Sequence, residues 1–318
     1  MKAVCTRRHW LQCAAALALA PAFPLQAREP AFGVLDLDWA DGRRQRPVPV
    51  RLYLPEGGAP VPLVVFSHGL GGSRRGYRYL GEHFASHGVA SLHLQHVGSD
   101  RQLWGGNPLA MLGRLQTAAQ DGEAMARVQD LRFALDMLLA GDLAPRIDAS
   151  RIVAAGHSYG ANTTLLACGA RVQRKGRPMD LLDPRLRAAI VISAPPFYGQ
   201  VDAAKILHNV TVPSLHVTCT EDIIRIPGYF SDAHDRVAVF DATGSTHKWL
   251  AVFEGGSHSV FTDRSGTGGV ALNPQVKAAT RELALAFVRG VLDGDAEALA
   301  EWPRRHAGML ARFSEVRI

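Results

Sequence analysis

The chain has 318 residues, 47% hydrophobic and 20% charged, which is enough apolar material for a large buried core and too even a composition for a disordered or fibrous protein. Its formal charge is +6, but three of the 35 bases and none of the 29 acids fall within the first 27 residues. What remains is close to neutral, so no nucleic-acid partner is expected.

Lys2, Arg7 and Arg8 precede an apolar run from Leu11 to Ala20, and small residues follow near Leu25-Gln26-Ala27. Residues 1–27 therefore read as an export signal. Thr6-Arg7-Arg8-His9-Trp10-Leu11 resembles a twin-arginine signal, which implies a bacterial protein exported folded and ending up periplasmic or secreted. An ordinary export signal and an uncleaved anchor are the alternatives. The apolar run is too short for a membrane span, and none is expected in the mature chain.

Residues 28–318 then read as one domain. Val34 to Asp38 and Val48 to Leu54 alternate like edge strands around the polar turn Asp41-Gly42-Arg43-Arg44. From Pro62 onward, short apolar runs alternate with helical stretches. The runs are Leu63–Phe66, Val89–Leu94, Ile152–Ala155, Ala189–Ile192, Leu215–Val217 and Trp249–Phe253. Runs apolar throughout suit strands buried on both faces, and their alternation with helices predicts an α/β fold, a mostly parallel doubly wound sheet. The clearest helix spans about Glu123 to Leu139, and another near the C-terminus carries Val276, Ala279, Leu283, Phe287 and Val291 on one face. Gly98 to Gln120 is the main insertion, whose Leu103, Trp104, Leu109, Met111 and Leu112, with Phe197 and Tyr198, are candidates for an acyl pocket or lid.

Gly156-His157-Ser158-Tyr159-Gly160 fits Gly-x-Ser-x-Gly, a pattern that chance supplies in roughly a tenth to a fifth of chains this long. Context makes it informative, because it follows an apolar strand and precedes the helix-forming run Ala161 to Cys168. That is the setting of a nucleophile elbow, in which Ser158 is lifted toward substrate and the flanking glycines relieve crowding. A serine nucleophile needs a base, and the base needs an acid. His258, in Gly255-Gly256-Ser257-His258 just past the last apolar strand, is the best placed of thirteen histidines. Asp222 follows the Leu215–Val217 strand and precedes Pro227, with Glu221 as its nearest rival. Ser67-His68-Gly69-Leu70-Gly71-Gly72 follows another strand, so the backbone N–H groups of Leu70 and Tyr159 can form an oxyanion hole. Arg74 and Arg75 come soon after and are open to two readings, a site for an anionic headgroup or a solvated helix start. His93 and His96 have poor spacing for chelation, and no metal or other cofactor is expected.

Of the four cysteines, Cys5 and Cys13 leave with the signal. Cys168 would lie roughly 15 Å down the helix from Ser158, while Cys219 ends a strand near the same edge, so a disulfide between them is not expected.

Phe66-Ser67-His68-Gly69-Leu70-Gly71, Ala85-Ser86-His87-Gly88 and Gly156-His157-Ser158-Tyr159-Gly160 resemble the platelet-activating-factor acetylhydrolase and dienelactone-hydrolase-like group of the α/β-hydrolase superfamily. The similarity spans roughly Pro62 to His258. It implies an α/β-hydrolase fold with a short insertion or lid, and cleavage of ester bonds without a cofactor. Two departures bear on the site. The plasma acetylhydrolase takes its acid after the preceding strand, where Ile192-Ser193-Ala194-Pro195-Pro196 offers no carboxylate, and dienelactone hydrolases use a cysteine where this chain has Ser158. The expected activity is hydrolysis of a small-molecule or lipid ester, a short-chain acyl or acetyl ester, through an acyl-enzyme. An exported amidase or thioesterase with the same triad and a non-catalytic binding protein of the same fold are the alternatives.

Overall fold

The computed structural model describes residues 31–174, 177–199, 202–226, 228–264 and 272–317. The expected export signal at 1–27 and Pro227 lie outside the described residues. The first hairpin joins β1 (Phe32–Asp41) to β2 (Arg46–Pro55), paired antiparallel from Phe32 opposite Pro55 to Asp41 opposite Arg46. Its turn is held by Asp41, whose Oδ1 accepts the backbone N–H groups of Arg43 and Arg44 at 3.0 and 3.3 Å.

The next elements are β3 (Val61–Ser67), α1 (Arg78–Ala85), β4 (Ala90–Leu94), α2 (Pro108–Ala118), α3 (Asp121–Ala140), β5 (Ile147–His157) and α4 (Tyr159–Ala167). A small hairpin of β6 (Val172–Arg174) and β7 (Arg177–Met179) precedes β8 (Leu186–Ile192), α5 (Ala203–Leu207) and β9 (Ser214–Glu221). A second small hairpin, β10 (Ile224–Ile226) with β11 (Tyr229–Ser231), leads into α6 (Ala233–Ala242) and β12 (His247–Ser257). The chain closes with α7 (Leu272–Asp293), α8 (Glu297–Arg305) and β13 (Leu310–Arg317).

Nine strands form one sheet in the order β1-β2-β4-β3-β5-β8-β9-β12-β13, parallel from β4 through β12 with antiparallel strands at both ends. This is the α/β-hydrolase architecture. Alternate residues of the central strands enter different cores, as the period of two requires. Leu63, Val65, Ile152 and Ala154 pack under α3 and α4, whereas Val64, Phe66, Val153 and Ala155 pack under α1 and α7. The chain turns back at β3, with β4 on one side of it and β5 on the other, which opens a crevice at their carboxyl ends.

Every strand expected from sequence is present, with β9 running four residues past Val217 to Glu221. Among the elements with no counterpart in the sequence reading are the β6–β7 and β10–β11 hairpins. The insertion forms helix α2, and α8 and β13 extend the chain beyond α7, with β13 completing the edge beside β12. Among the described residues no helix is long and apolar enough to cross a membrane. Cys168 and Cys219 are both buried and unpaired, and burial pushes the Cys168 thiol up to about 12.

Candidate active site

Strand β5 ends at His157 and α4 begins at Tyr159, leaving Ser158 at the turn with φ 55° and ψ −122°. That is a sparsely populated conformation for a residue with a β-carbon, and its surroundings enforce it. A β-carbon on Gly156 would run into the Gly160 carbonyl, and one on Gly160 into the Ser67 carbonyl. The Ser158 N–H donates to the Ile192 carbonyl at 2.9 Å, which ties the elbow to the end of β8.

The structure brings Ser158, His258 and Asp222 together. Ser158 Oγ lies 2.8 Å from His258 Nε2, and His258 Nδ1 lies 2.7 Å from Asp222 Oδ1. Since a carboxylate only accepts, Nδ1 carries the proton and Nε2 is the nitrogen left to receive the Ser158 hydroxyl. Strand pairing explains the convergence, because β9 and β12 are neighbours with Glu221 opposite Ser257. Each of Asp222 and His258 is the next residue in the chain. Glu221, the rival acid, is exposed to solvent, whereas Asp222 is fully buried. Asp222 also accepts from the Thr218 hydroxyl at 2.7 Å and from Arg236 at 3.4 Å. Burial alone would push its carboxyl up, but the hydrogen bond and charge of His258 and the charge of Arg236 outweigh that and hold it well below the usual carboxylate range.

Paired β3 and β5 set Ser67 opposite Gly156, so the loop after β3 stands beside the elbow. Most of that loop's N–H groups are committed. Gly69 donates to the Tyr77 hydroxyl at 3.3 Å, Gly71 to the Ser99 carbonyl at 2.8 Å and Gly72 to the Gly69 carbonyl at 3.0 Å. Among the described residues the Leu70 N–H has no such acceptor, and the Tyr159 N–H, at the first helical position, lacks an intrahelical one by construction. Leu70, Tyr159 and Ser158 line one cavity together.

Two side chains that sequence reasoning set aside or missed support this arrangement. His157 spans the site with Nε2 at 3.0 Å from the His258 carbonyl and Nδ1 at 2.8 Å from the Tyr77 hydroxyl. Burial, with the nearby His258, pushes it down to about 3, so it is neutral. Arg127 on α3 is fully buried, and its guanidinium donates to the Thr163 hydroxyl at 2.9 Å, to the Ser99 hydroxyl at 2.8 Å and to the His68 carbonyl. It also lies 4.5 Å from the centre of the Tyr159 ring. One buried cation thus grips both segments that carry a free N–H. An arginine on the buried face of a helix gives no signal of this from spacing alone.

Space flanks Ser158 on two sides. A cavity of about 290 Å³ is lined mainly by apolar groups, among them Leu115, Leu166, Val172, Met179, Phe197 and Ile224. Tyr159 Oη and Asn162 Oδ1 are buried in its wall without a partner among the described residues. A second, more polar cleft of about 540 Å³ is lined by His258, Gly69 to Gly72, Trp104, Arg101 and Arg225. Of the insertion's candidates, Trp104 borders the polar cleft and donates from Nε1 to the Gly71 carbonyl at 3.1 Å, while Leu103 is core. The side chains of Leu109 and Leu112 lie outside the described residues. The apolar cavity is instead walled by Leu115 and Ala119, further along the insertion, and Phe197 and Tyr198 line it as expected. Arg74 and Arg75 are engaged in ion pairs, Arg74 with Asp38 at 2.6 Å and Arg75 with Asp36 at 3.3 Å, which disfavours the headgroup reading.

No curated protein matches the chain. Residues 42–101 match the family model for platelet-activating factor acetylhydrolase, isoform II. The matched stretch holds β2, β3, the Leu70 loop, α1 and β4, and it stops short of Ser158, Asp222 and His258. The sheet is that of an α/β-hydrolase fold, and over residues 42–101 the chain is similar to the platelet-activating factor acetylhydrolase isoform II family.

Proposed function

We propose that the protein is a serine hydrolase of carboxylic esters that works through an acyl-enzyme. The observation that carries this reading is the continuous hydrogen-bonded chain from Ser158 Oγ through His258 to buried Asp222. The match of residues 42–101 supports the coarser statement, a hydrolase acting on esters.

In this mechanism His258 Nε2 takes the proton of Ser158 as Oγ attacks the ester carbonyl. The developing oxyanion is held by the N–H groups of Leu70 and Tyr159, each worth roughly 3 to 4 kcal/mol in comparable sites. His258, now cationic and stabilised by Asp222, gives the proton to the departing alkoxide. Water then enters, His258 takes a proton from it as its oxygen bonds to the acyl carbon, and the bond to Ser158 Oγ breaks as Oγ takes the proton back from His258 and the acid leaves. All steps use only this chain's side chains and backbone. Residues 28–318 would act as one catalytic domain, with residues 1–27 directing export.

Purified protein assayed on p-nitrophenyl butyrate, beside Ser158→Ala and with amide and thioester analogues, tests the reading. Ester turnover that disappears in Ser158→Ala is expected. Turnover of the amide or thioester in preference to the ester would move the activity to an amidase or thioesterase, and Ser158-independent or absent turnover would remove the hydrolase reading.

A further inference from the structure

Proton transfer fixes which side of Ser158 each half of an ester occupies. The alkoxide must depart within reach of His258 Nε2, because that nitrogen returns the proton to it. His258 lines the polar cleft and not the apolar cavity. The leaving alcohol therefore belongs in the cleft, and the acyl chain in the cavity. Leu70, Ser158, Ile224 and Ile226 border both spaces, so the reacting carbonyl sits at their junction.

The cavity is much too large for an acetyl group. At roughly the 30 Å³ that a water-sized group takes up, its 290 Å³ holds on the order of ten such groups, where acetyl brings two carbons. Leu166 lies eight residues along α4 from Ser158, roughly 12 Å at a helical rise of about 1.5 Å per residue, and marks the deeper part of the cavity. Val172 and Met179, opposite each other in the β6–β7 hairpin, and Phe197 line the cavity and not the cleft. Leu166 and Val172 are almost fully buried, so the end wall is apolar packing. The charged groups that line the cavity, Arg174 and Asp121, are paired with each other at 2.5 Å.

From this we infer that the substrate is an ester of a medium-chain acid, about six to ten carbons long, with the acyl chain running from Ser158 toward Val172 and Met179. The inference rests on the serine-hydrolase reading above. Each methylene seated in such a cavity raises kcat/KM about fourfold, so hexanoyl esters should exceed acetyl esters on the order of a hundredfold.

Three measurements decide it. The first is kcat/KM of the full chain, freed of any export signal, for p-nitrophenyl esters from acetate to dodecanoate, with an optimum expected between hexanoate and decanoate. The second repeats the series with Val172→Phe and with Met179→Phe, each of which shortens the cavity. The ratio of octanoate to acetate kcat/KM should fall at least tenfold in one or both. The third uses acetates of alcohols of graded length, where the same substitutions should leave the length dependence unchanged. An optimum at acetate, or a ratio that the substitutions do not move, overturns the inference while Ser158-dependent turnover persists. Substitutions that penalise long alcohols instead of long acids overturn the orientation. Loss of the serine-hydrolase reading itself is distinguished by the absence of Ser158-dependent turnover at every chain length. If both variants fail to fold, the wild-type optimum alone decides.

Discussion

The ring of His157 bridges the two halves of the site, with Nε2 donating to the backbone carbonyl of His258 at 3.0 Å. Its Nδ1 is thereby an acceptor for the hydrogen bond that the Tyr77 hydroxyl donates at 2.8 Å, while that hydroxyl in turn accepts the Gly69 N–H at 3.3 Å. The loop that carries Leu70 and the loop that carries His258 are thus tied to each other through the residue beside Ser158.

Tyr77→Phe tests that tie with little change of shape. It leaves His157 Nδ1 and the Gly69 N–H without their buried partner, at a cost of about 1 to 3 kcal/mol in denaturant unfolding. We expect kcat to fall more than KM changes, because the loops misplace a base and an oxyanion donor and leave the acyl cavity intact. Equal unfolding midpoints for variant and wild type would contradict this.

Arg127→Met removes three hydrogen bonds and the contact with the Tyr159 ring while keeping most of the side-chain volume. The variant should lose about 2 to 4 kcal/mol of stability, and its kcat should drop as the oxyanion donors loosen. Affinity for a phosphonate transition-state mimic, compared with that for the product acid, checks the second effect. Only the phosphonate should weaken markedly.

Ser158→Gly should abolish turnover and yet stabilise the fold by about 1 kcal/mol. Its positive φ holds strain of about 1 to 3 kcal/mol for a residue with a β-carbon, part of which glycine's greater freedom in the unfolded chain offsets. The unfolding midpoint relative to Ser158→Ala, which keeps the β-carbon, isolates this contribution.

Stability should fall steeply in mild acid. Burial pushes His93 down to about 4 and His157 and His216 down to about 3, so the folded chain keeps them neutral. The unfolded chain binds protons at these positions below a pH of about 6.5. Their stabilisation is complete above that pH and is lost as the pH falls toward 4, by up to about 1.4 kcal/mol per pH unit for each. Urea midpoints at pH 7 and pH 5 should differ accordingly, and His216→Phe, removed from the active site, should flatten the slope.

The parts of the site legible in sequence were those fixed by local chain chemistry. Gly156 and Gly160 are demanded by carbonyls that approach within a β-carbon's reach, and Asp222 and His258 follow directly after buried strands. The order of those strands in the sheet then does the rest. What escaped notice depends on long-range packing. Strand β13 carries Arg312, Glu315 and Arg317 and looks like a polar tail, yet its backbone caps the open edge of β12. Helix α2 carries a local start signal that the sequence reading passed over, since Asn107 caps its start, accepting the Ala110 N–H at 2.8 Å, and Pro108 follows. The family match, confined to residues 42–101, covers the Leu70 loop and none of the three reacting side chains, so it bears on the fold and the oxyanion loop more than on the triad.

The proposed mechanism makes Ser158 the nucleophile and His258 its base. Incubation with a p-nitrophenyl alkylphosphonate, followed by mass analysis of the peptides, tests it most directly. One covalent phosphonyl group per chain is expected on Ser158, none in Ser158→Ala, and labelling slowed by at least about 10³-fold in His258→Ala. Labelling at another residue, or ester turnover undiminished after Ser158 is fully labelled, would contradict it.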